Sequence, residues 1–437
     1  MVSLQNVRSN NASLKELGPG LVAVFVGGTS GIGESTAREF VRHTLSPRVY
    51  LVGRNETRAS KIIEELRSLN PDGKVSFIKS DASLLRSVDE ACEDIKKREE
   101  KVNLLFMSCG FLSTKGRDET SEGLDKKLNV HYYSRMRFIH NLLPQLTAAS
   151  STSTANNRSL SRVVSVLGAG QEGALNLSDL ALKHNYSMRT CAAHAITMNS
   201  LMTHELASQN PGTSFIHTYP GVVKTGIMRD LGPLARFGAE VFSVLAKPFM
   251  VPLEESGERH LYAATSQAFI PKDSGDKSAA AVGSDGVKGS GGYLLHWNGD
   301  IVGKQDLLRK YREEGVGKTV WQDTLDVFQK MPLDALAPIP PVPGPSLLSD
   351  RPQDELALVP IEFEGELDTD APREDIVEPA AEDAADVAGE DVVVTTALLA
   401  EEAAVAAVGL HVAQTNTLKP RPSQREQMES LARGLLR

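Results

Sequence analysis

Leu21-Val22-Ala23-Val24-Phe25-Val26-Gly27-Gly28-Thr29-Ser30-Gly31-Ile32-Gly33 is the stretch that decides the fold. The apolar run to Val26 reads as a buried strand. Beyond the glycines, Ala37, Phe40 and Val41 share one side of a helix. Strand, glycine-rich turn and helix together make a receptor for a dinucleotide pyrophosphate. Glycine lets the backbone turn tightly and approach the phosphates. The free N–H groups and the positive end of the helix dipole suit their charge. The position of the pattern, between a strand and a helix, is the context that gives it weight.

Outward from this turn, strand and helix patterns alternate. Strands are read at Arg48–Val52, Val75–Ile78, Val102–Met107, Val163–Val166, Ser214–Thr218 and Gly292–Trp297. Helices fall between them: Ile62, Ile63, Leu66 and Leu69 mark one stripe, and Leu84, Leu85, Val88, Ala91, Cys92 and Ile95 another. Leu124, Leu128, Met136, Ile139 and Leu143 follow, then Met188–Leu206, and finally Leu307–Met331. This alternation predicts an α/β fold of Rossmann type: a doubly wound, mainly parallel seven-stranded sheet with helices on both faces. Ligands of such sheets bind at the carboxyl ends of the strands. The apolar stretch 226–252 is expected to be helical, either covering the cleft or packing as plain core. The Gly-, Ser- and Asp-rich run Asp273–Gly292 is read as a loop.

The chain has 437 residues and a net charge of −9, unevenly placed. Between Asp350 and Asp391 there are sixteen acidic residues against two arginines, so the rest carries a small positive balance. No basic block points to nucleic acid. Cys92, Cys109 and Cys191 lack metal-ligand spacing and fit reduced thiols in the cytoplasm. The polar Met1–Glu16 segment has no apolar signal region. The stretch Leu234–Leu253 carries Arg236, Glu240 and Lys247, which argues against a membrane span. Residues 1–334 are read as one cofactor- and substrate-binding domain. Residues 335–437, Pro-rich and then acidic and Ala-rich, are read as a mostly disordered tail and a candidate for contacting another protein.

With these motifs the sequence resembles the short-chain dehydrogenase/reductase family over about residues 20–330, in particular divergent members from fungal natural-product pathways. The resemblance places Gly27, Ser30, Gly31, Ile32 and Gly33 on the cofactor loop, with Val26 where the family has Thr. Asp81 stands in the position that meets the adenine, and Gly110 is what remains of the family turn after strand four. Pro220, Val223 and Thr225 belong to the turn beside the nicotinamide. After strand two the chain has Arg54, with Arg58 one turn on. An acid there would repel a 2′-phosphate, whereas arginine attracts it, so the expected cofactor is NADP(H). Assembly as a homo-oligomer, through the helices after strands four and five, is also what the resemblance implies.

The chemical positions depart from the family. Tyr186 occupies the place of the proton-transferring Tyr, and Asn129 that of the Asn that anchors a relay water. The Ser place falls on Gly168 and the Lys place on Thr190. A free tyrosine, with a pKa of about 10, needs help to move a proton at neutral pH. Three roles for Tyr186 stay open: general acid helped by His131 or His184, binding without proton transfer, or an aromatic packing residue. His194, His204 and His217 are read as packing, surface or strand residues, and no cluster has metal-ligand spacing. The expected activity is interconversion of a ketone and a secondary alcohol on a bulky apolar, polyketide-like compound. The alternatives are a non-redox isomerase, cyclase or dehydratase on a similar compound, and an inactive scaffold.

Overall fold

The computed structural model describes residues 1–113, 115–150, 160–227 and 250–331. An unexpected N-terminal helix, α1 (Leu4–Ala12), is capped by Ser3, whose hydroxyl accepts from the Asn6 N–H. It is tied down by Asn11, which donates to the Glu258 carbonyl. The alternating core follows: β1 (Val22–Val26), α2 (Gly31–His43), β2 (Arg48–Gly53), α3 (Glu56–Leu69), β3 (Lys74–Lys79), α4 (Leu85–Arg98) and β4 (Leu104–Met107). The turn α5 (Lys126–Leu128) runs through a π-helical turn, Asn129–Tyr133, into α6 (Ser134–Ser150). The chain then forms β5 (Arg162–Val166), α7 (Met188–Gln209), β6 (Ser214–Tyr219), α8 (Leu253–Thr265), β7 (Gly292–His296), α9 (Gln305–Glu313) and α10 (Val316–Gln329).

The strands form one parallel sheet in the order β3-β2-β1-β4-β5-β6-β7. The seven-stranded doubly wound expectation holds. Every residue of β1, β4 and β5 is buried, as a sheet covered on both faces requires. Alternate residues of β1 serve opposite cores. Val22, Val24 and Val26 pack with α4, α6 and α7, while Ala23 and Phe25 pack with α2 and α8. On the second face α2 and α8 meet through small residues: a Cβ on Gly257 would stand 2.3 Å from the Ser35 hydroxyl.

The region after β7 is not one helix. Gly315, at φ 70°, separates α9 from α10, because the left-handed conformation there ends one helix and redirects the next. The α10 helix packs on α7. It also reaches the π turn and α6, through a Tyr132–Thr324 hydroxyl bond of 2.6 Å and through Arg137 stacked 4.8 Å from the Phe328 ring centroid. Part of the face through which the resemblance implies assembly is therefore used within the protomer. Residues 228–249 of the apolar stretch 226–252 and the whole tail 335–437 lie outside the described residues, as does the domain boundary at 334/335. Among the described residues no helix is long and apolar enough to cross a membrane, and no group of His, Cys, Asp or Glu could hold a metal ion.

Candidate active site

The sheet order reverses between β1 and β4, and side chains and loops diverge there to leave a crevice. A cleft of about 660 Å³ opens at that point. It is lined by the turns after β1, β2, β3 and β4, the π turn, the end of β5 and the segment after β6.

The floor of the nucleotide half is backbone. Gly27 has φ 84°, and a Cβ there would lie 2.8 Å from the Cys109 nitrogen. A Cβ on Gly33 would lie 2.4 Å from the Ser108 hydroxyl oxygen and 2.6 Å from the Gly27 carbonyl oxygen. The loop thus presses directly on the end of β4, and side chains at these two positions are excluded. Gly31, at φ 58°, lies under Thr225, whose side chain would be 3.2 Å from an added Cβ. Ser30 is the N-cap of α2, but its side chain makes no capping bond. The first-turn N–H groups of a helix have no intrahelical acceptor, so they remain for a ligand. The Ser108 hydroxyl is buried in the same wall and, among the described residues, has no hydrogen-bond partner.

Of the residues expected from sequence to hold a cofactor, Gly27, Ser30, Gly31, Ile32, Arg54, Asp81, Gly110, Pro220 and Thr225 line this cleft. Gly33 lies beneath it. Val223 pairs with Val251 in a short bridge and is not in the wall. The Asp81 carboxylate is oriented by the Ser83 N–H at 2.9 Å and the Ser83 hydroxyl at 2.8 Å. Arg54 is exposed at the end of β2, and among the described residues no carboxylate pairs with it. Arg58 is different: it reaches Glu34 at 3.3 Å, and Glu34 also holds Arg38. A glycine floor, uncapped helix N–H groups and an unpaired buried hydroxyl fit a nicotinamide dinucleotide. Gly27, Ser30, Gly31 and Ile32 would hold the pyrophosphate, Asp81 the adenine side and Thr225 the nicotinamide side.

In the chemical half, two residues expected from the sequence stand outside the cleft lining. Tyr186 does not line the cleft. It precedes α7 rather than standing on it, because Ser187 is the N-cap. Ser187 and Thr190 form a reciprocal capping box, the Ser187 N–H donating to Thr190 Oγ1 at 2.8 Å and the Thr190 N–H to Ser187 Oγ at 3.1 Å. Thr190 is thus a capping residue. The Tyr186 ring packs on the core beside Lys127, whose ammonium lies 5.5 Å from the ring centroid. Burial, with Cys191 and Asp125 nearby, raises its hydroxyl pKa well above the ordinary tyrosine value. Asn129 is also outside the lining: it is fully buried and donates to the Ser83 carbonyl at 2.7 Å. Its effect is on the backbone, since it opens the π turn that carries Val130 and His131 into the wall.

The part of α7 that meets the turn after β5 lies ten residues beyond Tyr186. A Cβ on Gly168 would stand 2.7 Å from Ile196 Cδ1, so an apolar side chain fills the space next to the absent serine. The turn itself is locked from below. The Gly168 N–H donates to His217 Nε2 at 3.1 Å, and His217 Nδ1 lies 2.9 Å from Ser200 Oγ. Ser200 in turn donates to the fully buried Glu172 at 2.8 Å. Because Nε2 accepts, Nδ1 carries the proton, and His217 is the neutral centre of a structural chain. Burial, with Arg135 adding to it, holds its pKa down at about 3.

His131, considered from sequence as a helper for Tyr186, is in the cleft wall without Tyr186. Its Nε2 accepts from the Phe111 N–H at 3.4 Å. Burial, then Arg135 and Lys127, push its pKa down to about 3. Arg135 was missed. It also lines the cleft while only 1% exposed. The available signal was its spacing, four residues past His131 on the helix that follows strand four. His184 is held through its backbone N–H, which donates to Asp179 at 2.9 Å, and it is not in the wall.

The family model for short chain dehydrogenases matches residues 21–233. The chain is 44% identical to Oxidoreductase AN1596 of Emericella nidulans over 74% of its own length and 97% of that protein's. It is 39% identical to Oxidoreductase andH of Emericella variicolor, covering 75% of the chain and 97% of that protein. It is 30% identical to Short-chain dehydrogenase/reductase SAT2 of Stachybotrys chartarum, covering 74% and 96%. Glycine floor, sheet order and relatives agree, and the chain belongs to the short-chain dehydrogenase/reductase family of oxidoreductases.

Proposed function

We propose that the protein is an NADP(H)-dependent oxidoreductase that interconverts a ketone and a secondary alcohol on a bulky, mostly apolar natural-product intermediate. The observation that carries the cofactor choice is Arg54. It stands at the end of β2 in the cleft wall, with no carboxylate paired to it among the described residues, whereas Arg58 is engaged by Glu34. A guanidinium in that place would receive the 2′-phosphate. Bound nicotinamide would supply or accept the hydride. The chain would contribute alignment, which is a large share of the rate enhancement in such reactions. Phe111, Val130, Leu167 and Ile227 give the wall beside Gly110 the apolar surface that supports the substrate class.

The test is a nucleotide titration comparing NADPH with NADH on the wild type and on Arg54→Asp, followed by turnover of a panel of aromatic ketones. The expected result is an NADPH preference that Arg54→Asp reverses, with NADPH consumption on at least one ketone. A preference that does not reverse removes Arg54 from this role. A second reading, a non-redox isomerase, cyclase or dehydratase, is favoured by the position of Tyr186 outside the cleft. Product formation without a change in nicotinamide absorbance would establish it.

A further inference from the structure

Arg135 is a buried charge without a counter-charge. Its Nε donates to the Val130 carbonyl at 3.4 Å, and its Nη1 to Ser165 Oγ at 2.7 Å and the Val166 carbonyl at 2.8 Å. Its Nη2 donates to the Cys109 carbonyl at 2.6 Å. All four acceptors are neutral, and among the described residues no carboxylate reaches the guanidinium. Five N–H donors are available to an arginine, so one on Nη2 is left over. A cation removed from water and held only by neutral acceptors keeps an unmet demand for negative charge. This cation lies in the wall of an open cleft, where a ligand can meet that demand.

One turn earlier on the same helical face stands His131. Since its Nε2 accepts from the Phe111 N–H, its proton is on Nδ1, and the neutral ring is a hydrogen-bond donor. Where the resemblance places a serine the chain has Gly168, with Ile196 packed against it, and neither residue has a side-chain donor.

We propose that His131 and Arg135 form an oxyanion-holding site, which takes the substrate carbonyl oxygen and the negative charge that develops on it. This rests on the reductase reading above. When hydride adds to the carbonyl carbon, the C=O π pair moves onto oxygen and an alkoxide forms. His131 Nδ1–H donates to that oxygen, and Arg135 acts as a positioning residue that supplies the positive field. The alkoxide then takes a proton from water, which completes the alcohol. The stabilising groups are thereby carried by the helix after β4, while α7 contributes packing. A preorganised donor and cation in the cleft wall is the arrangement that stabilises developing charge.

The test uses 2-naphthoate as the oxyanion probe and 2-naphthamide as its neutral isostere, titrated by calorimetry into the full chain with and without NADP⁺. The wild type is expected to bind the carboxylate about tenfold tighter than the amide, the value of one charge-assisted hydrogen bond. That preference is expected to vanish in Arg135→Met and in His131→Phe and to return in Arg135→Lys, with melting temperature as the check on folding. Equal affinity of the wild type for both probes, or a preference that survives Arg135→Met, overturns the proposal. Should Arg135→Met fail to fold, ¹⁵N-histidine spectra of the wild type decide: naphthoate must shift the His131 Nδ1 resonance, and an unmoved resonance overturns the site. Failure of both nicotinamide nucleotides to bind would instead sink the reductase reading, while the probe preference on nucleotide-free protein would still report on His131 and Arg135.

Discussion

The two halves of the cleft are built on different principles. At the tips of β1, β2 and β3 the work falls to backbone: Gly27 and Gly33 lie against β4 at distances that admit no side chain, and α2 leaves its first N–H groups open. At the tips of β4, β5 and β6 it falls to side chains, and there the family pattern is rewritten. Val166 and Leu167 line one side and His131 and Arg135 another, Ile196 packs on Gly168 outside the lining, and Tyr186 stands outside it too. A site made from backbone geometry can change little without losing its shape. A site made from side-chain charge can be rebuilt from a neighbouring element that points into the same space.

The strongest way to break this contrast is at the backbone. Gly27→Val would place a branched side chain at φ 84° against the Cys109 nitrogen. Nucleotide affinity should fall by more than about 100-fold, measured by fluorescence titration. Retention of affinity would show that the floor is more plastic than its contacts require.

The chemical half makes an acid-stability prediction. His217 beneath the Gly168 turn and His260 on α8 are both buried, and burial lowers their pKa values to about 3 and about 4. Their ordinary value is about 6.5. As pH falls below that value, the unfolded chain takes up a proton that the folded chain refuses, so stability is full above it and is lost toward the folded pKa. Each histidine should cost about 2 kcal/mol by pH 5, read from urea midpoints between pH 7 and 5. Flat stability over that window would contradict the neutral His217–Ser200–Glu172 chain.

Two smaller effects sharpen the comparison. Arg54→Asp should shift the NADPH-to-NADH affinity ratio by about tenfold or more toward NADH, leaving the glycine floor intact. Tyr186→Phe should alter kcat/KM by less than about twofold, since the hydroxyl is buried near Asp125 and Cys191. A loss of two orders of magnitude would bring Tyr186 back into the cleft and restore the family assignment of roles.

Much of the fold was legible because parallel strands buried on both faces are written as short apolar runs, and the runs at Val22–Val26, Arg48–Gly53 and Ser214–Tyr219 stand nearly where their periodicity puts them. The end of the domain was less so. Leu307–Met331 has one helical pattern, but a single left-handed glycine, Gly315, splits it. In the site, Tyr186 and Thr190 have the four-residue spacing of a catalytic pair, yet Thr190 is taken by Ser187, three residues before it, for a capping box that starts α7 after the tyrosine. Local hydrogen bonding thus decided which face, if any, the motif occupies, and motif spacing carries no information about that.

By itself the sequence determined the parallel α/β sheet, the glycine turn at Gly27–Gly33 and the arginine after β2, because each follows from local periodicity or from what one residue type permits its own backbone to do. Only the tertiary structure decided that the π turn and the start of α6 bring His131 and Arg135 into the cleft wall, that Ile196 abuts Gly168, and that Tyr186 packs beside Lys127. These contacts join residues on different elements, and their chemistry depends on burial and on which charges lack partners, quantities that exist only once the chain has folded.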